Sequence, residues 1–324
     1  MEEFDYIIVG AGSAGCVLAD KLSENGQHKV LVLEAGATDR RFWIRVPIGY
    51  GRTFNNPSVN WMYETEHCET LNNQTSFWPR GKVVGGSSSI NALCYFRGLP
   101  SDFDHWRDLG NSGWGWEDVL PQFQRFERFV NVEGEVENNN PLYVSNVYED
   151  MHPLKEYFKR AADEMGVSYT HHMNGPISEG FASYQITTKN GVRCSAADAF
   201  LRPALKRPNV HMETNAQATR ILFEGKTAVG VEYSRQGVAK QVRALREVIL
   251  AGGAINSPML LQQSGVGPAN LLQKLGIAVV CDSDAVGKNL QDHLALSYKF
   301  MANVPTLNNE LHSWMGKLWA GLKY

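Results

Sequence analysis

Asp5-Tyr-Ile-Ile-Val-Gly10-Ala-Gly12-Ser-Ala-Gly15-Cys-Val-Leu-Ala-Asp20 is an apolar run that breaks into glycines and then resumes with helical spacing. Tyr6 to Val9 has the uninterrupted apolar character of a strand buried on both faces, and Gly10, Gly12 and Gly15 follow in G-x-G-x-x-G register. Gly10 makes the tight turn, Gly12 lets backbone approach a pyrophosphate, and Gly15 lets the following helix pack close to the strand. The N-terminus of that helix offers free N–H groups and a positive dipole end to phosphate oxygens. Such a glycine pattern alone is weak, because glycine turns occur in many proteins that bind no nucleotide. Its context is stronger. Val30-Leu-Val-Leu33 is a second apolar run ending in Glu34, 19 residues beyond Gly15, where a βαβ unit presents an acid to a ribose. The plain alternative is an ordinary βαβ unit with a surface glutamate. An acid here also disfavours a 2′-phosphate, which favours FAD or NAD over NADP.

A chain of 324 residues is long enough for about two domains. Its hydrophobic content of 43% and charged content of 20% are those of a globular protein, and a net charge of -3 supplies no basic field for nucleic acid. Five scattered cysteines, Cys16, Cys68, Cys94, Cys194 and Cys281, form no C-x-x-C pair and suit reduced thiols better than disulfides or zinc. The first strand follows directly on Met1-Glu-Glu-Phe4, with no leader pattern, and no apolar run reaches the roughly 18 residues of a spanning helix. The expectation is a cytoplasmic protein, with peripheral membrane contact left open. The His171-His172 pair has no third ligand at a helical or hairpin spacing, so no metal is expected.

From Ala37 to about Trp78 the period is lost among Pro47, Gly49, Gly51, Pro57 and several asparagines, with Trp43, Trp61 and Tyr63 interleaved. Long irregular segments inside compact enzymes are usually lids or binding loops, and this one reads as an excursion over the nucleotide site. Any single aromatic in it could equally fill core. Pro79-Arg-Gly81-Lys-Val-Val-Gly85-Gly86-Ser87-Ser-Ser-Ile90-Asn91-Ala-Leu93 is the second glycine- and hydroxyl-rich stretch. Its glycines let backbone approach a bulky flat ligand, its serines and Asn91 offer hydrogen bonds, and a buried helix is expected over Ile90 to Phe96.

These residues together amount to a family resemblance. Gly10 to Gly15, Glu34-Ala-Gly36 and Pro79 to Leu93 resemble the glucose-methanol-choline (GMC) oxidoreductases, FAD enzymes that act on alcohols. Gly253-Ala-Ile-Asn-Ser257-Pro258-Met-Leu-Leu-Gln-Gln-Ser264-Gly265-Val266-Gly267 is similar to the second signature of that family, and Val286-Gly-Lys-Asn-Leu-Gln-Asp-His293 to its G-x-N-L-x-D-H segment. Four separated motifs in order make the match specific, and it spans almost the whole chain. The fold expected is α/β, a Rossmann-like FAD-binding domain of parallel sheet plus β-meander, with a discontinuous substrate and lid domain. The resemblance implies that FAD meets Gly10, Gly12, Ser13, Ala14, Gly15, Glu34, Ala35, Arg80, Gly81, Gly86, Ser87, Asn91, Ala92, Ala218, Ala251 and Gly252. Ala218 would lie at the adenine.

Between the motifs, Trp106, Trp114 and Trp116 are expected in core ahead of a helix from Glu117 to Phe129. Further helices are expected over Pro153 to Gly166 and Gly191 to Leu201. Strands Val210 to Thr214, Ala218 to Phe223, Val229 to Tyr233 and Val238 to Arg243 read as a meander, and Glu247 to Ala251 as one more buried strand. Ser257 with Pro258 after it reads as the N-cap and first position of a helix. The FAD-binding domain is expected from residues 1–40, 79–130 and 190–296, and the lid and partial substrate domain from 41–78, 131–189 and 297–324.

The resemblance implies that an alcohol binds over the flavin, a base takes its hydroxyl proton, and hydride passes from carbon to flavin N5. The electron acceptor would be oxygen or a quinone. The family's base is a histidine paired with a second histidine or asparagine, both beyond a segment like Val286 to His293. None of the nine histidines here matches it, so the catalytic pair is expected past Tyr324. Leu311, Trp314, Met315, Leu318, Trp319 and Leu322 make a helical apolar face still running at the last residue, which reads as a core helix cut in mid-pattern rather than a membrane-surface helix. Some relatives bond FAD covalently through a histidine just before the asparagine of G-G-x-S-S-x-N; here that residue is Ile90, and noncovalent FAD is expected. Two other readings are a lyase that keeps FAD as structure, cleaving cyanohydrins, and a cofactor-binding chain completed by a second chain carrying the C-terminal half.

Overall fold

The computed structural model describes residues 1–130, 138–170, 173–174, 180–293 and 299–323. His171 and His172 lie outside the described residues. The chain divides into two compact units, one formed by Met1–Leu93 with Val192–Gln291 and the other by Cys94–Gly191 with Asp292–Tyr324.

The first unit is organised on a six-stranded sheet. Its strands are β1 (Glu2–Val9), β2 (Val30–Glu34), β3 (Val210–Thr214), β4 (Ala216–Glu224), β5 (Thr227–Arg235) and β6 (Val238–Leu250), in the order β3-β2-β1-β6-β5-β4. The β3, β2, β1 and β6 neighbours run parallel, and β6-β5-β4 are antiparallel. Helix α1 (Ser13–Ser23) joins β1 to β2 and buries Gly15, Cys16, Ala19 and Ser23. Every residue of β2 is buried, as the unbroken Val-Leu-Val-Leu run requires of a strand covered on both faces. Ile7, Val9, Leu31, Leu33, Val231 and Val242 form the centre of one core cluster.

The expected parallel sheet and meander are both present, but two strand assignments change. Strand β3 belongs at the far edge of the sheet, paired with β2 from Val210 opposite Val30 to Thr214 opposite Glu34, and is not part of the meander. Asn215, at φ 53, turns the chain between β3 and β4 while its N–H donates to the Gly36 carbonyl at 2.9 Å. The two strands expected over 238–243 and 247–251 are one 13-residue strand, β6. Arg243, Arg246 and Glu247 interrupt its apolar pattern, but its backbone pairs with β5 on one side and with β1 on the other, and charged side chains can stand out from such a strand.

Three helix expectations also change. Helix α2 covers Gly253–Gln263 with Gly252 as N-cap, so Ser257 is not a cap and Pro258 sits inside the helix. The proline removes only the amide that would have bonded the carbonyl of Ala254. Residues 90–96 form no helix. A 3₁₀ turn over Gly86–Ser89 leads through Leu93, at φ 64, into a short strand, Cys94–Tyr95, and left-handed backbone cannot continue a helix. The segment expected as one helix over 191–201 is a two-residue strand, Val192–Arg193, followed by a π-helical turn, Ala197–Leu201.

In the second unit the strands Cys94–Tyr95, Gln185–Ile186, Leu142–Ser145 and Glu127–Val130 form a four-stranded sheet in that order. The helix expected over 117–129 ends at Phe126 and passes directly into the strand beginning at buried Glu127. Glu127 accepts from the Tyr95 hydroxyl and from the Arg97 guanidinium. Phe103 is core, whereas Trp106 and Trp114 are about half exposed, which corrects their expected place in core; their rings meet edge to face, with centroids 6.0 Å apart. The C-terminal apolar face is also open: Trp314 is 73% and Leu322 71% exposed. Among the described residues no helix is long and apolar enough to cross a membrane.

Candidate cofactor site

A cavity of about 560 Å³ opens at the C-terminal ends of β1, β2 and β6, entirely within the first unit. That volume lies in the range of roughly 300–1,000 Å³ typical of small-molecule and cofactor sites. Gly10, Gly12, Ser13 and Ala14 line it from the first glycine turn, Glu34 and Ala35 from the end of β2, and Arg80, Gly81, Gly86 and Ser87 from the second glycine-rich stretch. Ala218 closes it from β4, and Ala251 and Gly252 from the end of β6. Parallel strands place these residues together because each strand ends at the same edge, where the chain must turn.

The three glycines of the first turn are not equivalent. A Cβ on Gly15 would lie 1.9 Å from the Gly10 carbonyl oxygen, and one on Gly10 would lie 2.5 Å from the Ala251 oxygen. These two are required by the protein's own packing. On Gly12 the nearest atom would be 3.8 Å away, ordinary contact distance, so nothing within the protein requires a glycine there. Its bare backbone faces the cavity, as a cradle for a closely approaching ligand should. The first-turn amides of α1 beside it have no partners within the helix and suit an anionic group.

Glu34 is 5% exposed, and its carboxylate accepts from the N–H of Ala11 at 2.9 Å and of Gly36 at 2.8 Å. Burial pushes this carboxyl up to about 7, against the opposing pull of those two N–H groups and of Lys82. The second stretch is tied to the first by the Gly85 N–H donating to the Ala11 carbonyl at 2.8 Å. A Cβ on Gly86 would lie 2.7 Å from the Gly12 Cα, so the two glycine loops touch backbone to backbone.

Three residues expected to meet the cofactor lie off the cavity wall. Gly15 is buried beneath the turn, Asn91 faces a guanidinium described below, and Ala92 is exposed. Trp61, Tyr63 and Asn256 are among the lining residues outside the expected set. Trp61 and Tyr63 stack with centroids 5.8 Å apart and planes within 4°, and the Tyr63 hydroxyl donates to Asn256 Oδ1 on α2. The aromatic spacing within 37–78 was visible in the sequence. Its partner, 193 residues away, was not.

Residues 4–295 match the model of the GMC oxidoreductase family. The chain belongs to that family. It is 44% identical to an alcohol dehydrogenase [acceptor] of Pseudomonas putida over 94% of its own length and 55% of the relative's. It is 42% identical to an oxygen-dependent choline dehydrogenase of Vibrio vulnificus, over 100% of its length and 58% of the relative's. A solved FAD-dependent oxidoreductase from Chaetomium thermophilum superposes with a TM-score of 0.88 at 32% identity, covering 99% of this chain and 58% of that one. The chain thus spans somewhat more than half the length of the relatives it matches. FAD is the cofactor of GMC proteins, and the cavity fits it: bare backbone at Gly12, unpaired helix amides beyond it, and a buried carboxylate at the ribose position of the βαβ unit.

Proposed function

We propose that the whole protein is an FAD-dependent alcohol oxidoreductase in which hydride leaves the carbon of a primary alcohol for flavin N5, and that this chain supplies the cofactor cradle. The carrying observation is the joint lining of one cavity by both glycine loops, Glu34 and the start of α2. Bound there, the flavin supplies the two-electron sink that alcohol oxidation needs.

The residues named so far bind and orient. The α1 amides and Gly12 would take the pyrophosphate, Glu34 would accept from ribose hydroxyls, and Gly86 and Ser87 would meet the cofactor on the facing wall. Trp61 and Tyr63 line the cavity, with Tyr63 secured by Asn256. The acceptor is oxygen or a quinone. In this reading residues 1–40, 79–130 and 190–296 serve the cofactor, and 41–78, 131–189 and 297–324 form the lid and partial substrate domain.

FAD is held noncovalently in this reading. Ile90, at the position where some relatives carry the tethering histidine, is 1% exposed and packed with Ile44, Val59 and Val83, so it offers neither a nucleophile nor access. Acid precipitation of flavin-loaded protein should release the yellow colour; colour retained in the pellet overturns that point. For the activity itself, anaerobic addition of primary alcohols to the full-length protein should bleach the flavin's visible absorbance, and a series of alcohols with no bleaching would reject it.

A further inference from the structure

Arg193 is the bulkiest of the fully buried side chains among the described residues, at 1% exposed. Its Nε donates to the Ile44 carbonyl at 2.9 Å, Nη1 to the Ser88 carbonyl at 3.0 Å and to Asn91 Oδ1 at 2.7 Å, and Nη2 to the Asn91 carbonyl at 2.7 Å. All these acceptors are neutral. The neighbouring carboxylate, Asp198, is engaged by Arg45 at 2.6 Å, by Arg202 and by the Ser195 N–H at 3.0 Å. Among the described residues no carboxylate pairs with Arg193. A buried cation without a paired counter-ion is costly. Burial, and then the Arg45 charge, pull its pKa down to about 10 against the opposing pull of Asp198, which still leaves it charged at neutral pH.

The acceptors locate its task. Ser88 lies within, and Asn91 just beyond, the 3₁₀ turn whose first residues, Gly86 and Ser87, line the cavity. Asn91 Oδ1 also accepts from the Leu93 N–H at 3.1 Å, so the guanidinium braces the turn at both ends and at its left-handed exit. The fork geometry of arginine holds several oxygens at fixed spacing, which a lysine cannot do.

We propose that Arg193 is a positioning residue for the bound cofactor: it fixes the 86–91 turn so that Gly86 and Ser87 meet the flavin cofactor, and its unneutralised charge behind that wall favours the reduced, more negative state. The inference rests on the FAD reading above.

Fluorescence titration of the full chain with FAD, together with the flavin midpoint potential, tests both halves. Arg193→Lys keeps the charge but not the fork, so it should weaken FAD binding about tenfold with the potential unchanged. Arg193→Met should weaken binding at least as much and also cost the reduced flavin about tenfold in affinity relative to the oxidised form, a drop of about 30 mV for a two-electron couple. Val242→Ala, a buried core truncation away from the cavity, controls for lost stability. Variants that bind FAD within twofold of the parent, or that lose affinity no more than Val242→Ala at equal Tm loss with an unmoved potential, overturn the proposal. Should Arg193→Met not fold, Arg193→Gln carries the same readouts. If the parent chain binds no FAD, the cofactor reading fails instead.

Discussion

The two glycine loops that meet at the cavity are held in different ways. The 10–15 turn is fixed by backbone packing: Gly15 against the Gly10 carbonyl, Gly10 against Ala251, and the Gly10 N–H on the Leu33 carbonyl at 2.8 Å. The 85–91 turn is fixed by side chains from far along the chain, with Arg193 on its carbonyls and Ser88 Oγ accepting the Ala196 N–H at 3.0 Å. A loop of the first kind can be recognised from glycine spacing. A loop of the second kind has its specification scattered over more than 100 residues, and its own sequence looks like a flexible linker.

The largest effect should come from breaking the first loop's packing. Gly15→Ala places a methyl 1.9 Å from backbone oxygen, so a loss on the order of 4 kcal/mol, or no soluble protein, is expected in thermal unfolding. Near-parental stability would show that the turn is softer than its contacts imply.

Glu34→Gln should weaken FAD binding by roughly 1.5–3 kcal/mol, because a charged acceptor is lost from a buried site. The same residue sets a pH dependence. With its carboxyl raised to about 7 in the free protein, its contribution to stability is full below the ordinary glutamate range near 4.5 and fades as pH rises through 7. Ribose hydroxyls donating to the ionised form would lower that pKa again, so binding should release a proton and FAD affinity should rise with pH through about 7. A flat profile in the parent, or the same slope in Glu34→Gln, contradicts this.

Gly12→Ala separates packing from ligand contact within the first loop. Its Tm should stay near the parent's, since the added Cβ finds its nearest neighbour at 3.8 Å, while FAD affinity falls about tenfold, or 1.4 kcal/mol. Loss of stability without loss of affinity would reverse the assignment.

The smallest effect probes the second loop. Ser88→Ala leaves the N–H of buried Ala196 without its acceptor and removes the 2.6 Å bond to the Gly85 carbonyl. About 1 kcal/mol of stability should be lost, with FAD affinity reduced less than in Arg193→Lys.

The sequence by itself determined the βαβ unit, the acid at the end of β2 and the family, because these depend on local period and short spacings: an all-apolar strand must be buried, a Cβ-free turn must be tight, and an acid at the end of β2 must reach the same edge as the turn. It misplaced what depends on partners. Residues 90–96 carry helix-like apolar character, but a guanidinium 102 residues away takes the Asn91 oxygens and the chain leaves through left-handed Leu93. Strand β6 reads as two because its charged residues break the pattern, and only pairing on both edges makes it one. Likewise Trp61 and Tyr63 became cavity wall only when Asn256 came to meet them. Hydrogen-bond partners chosen across long stretches of chain leave no periodic trace, so tertiary structure alone decided the second wall of the site.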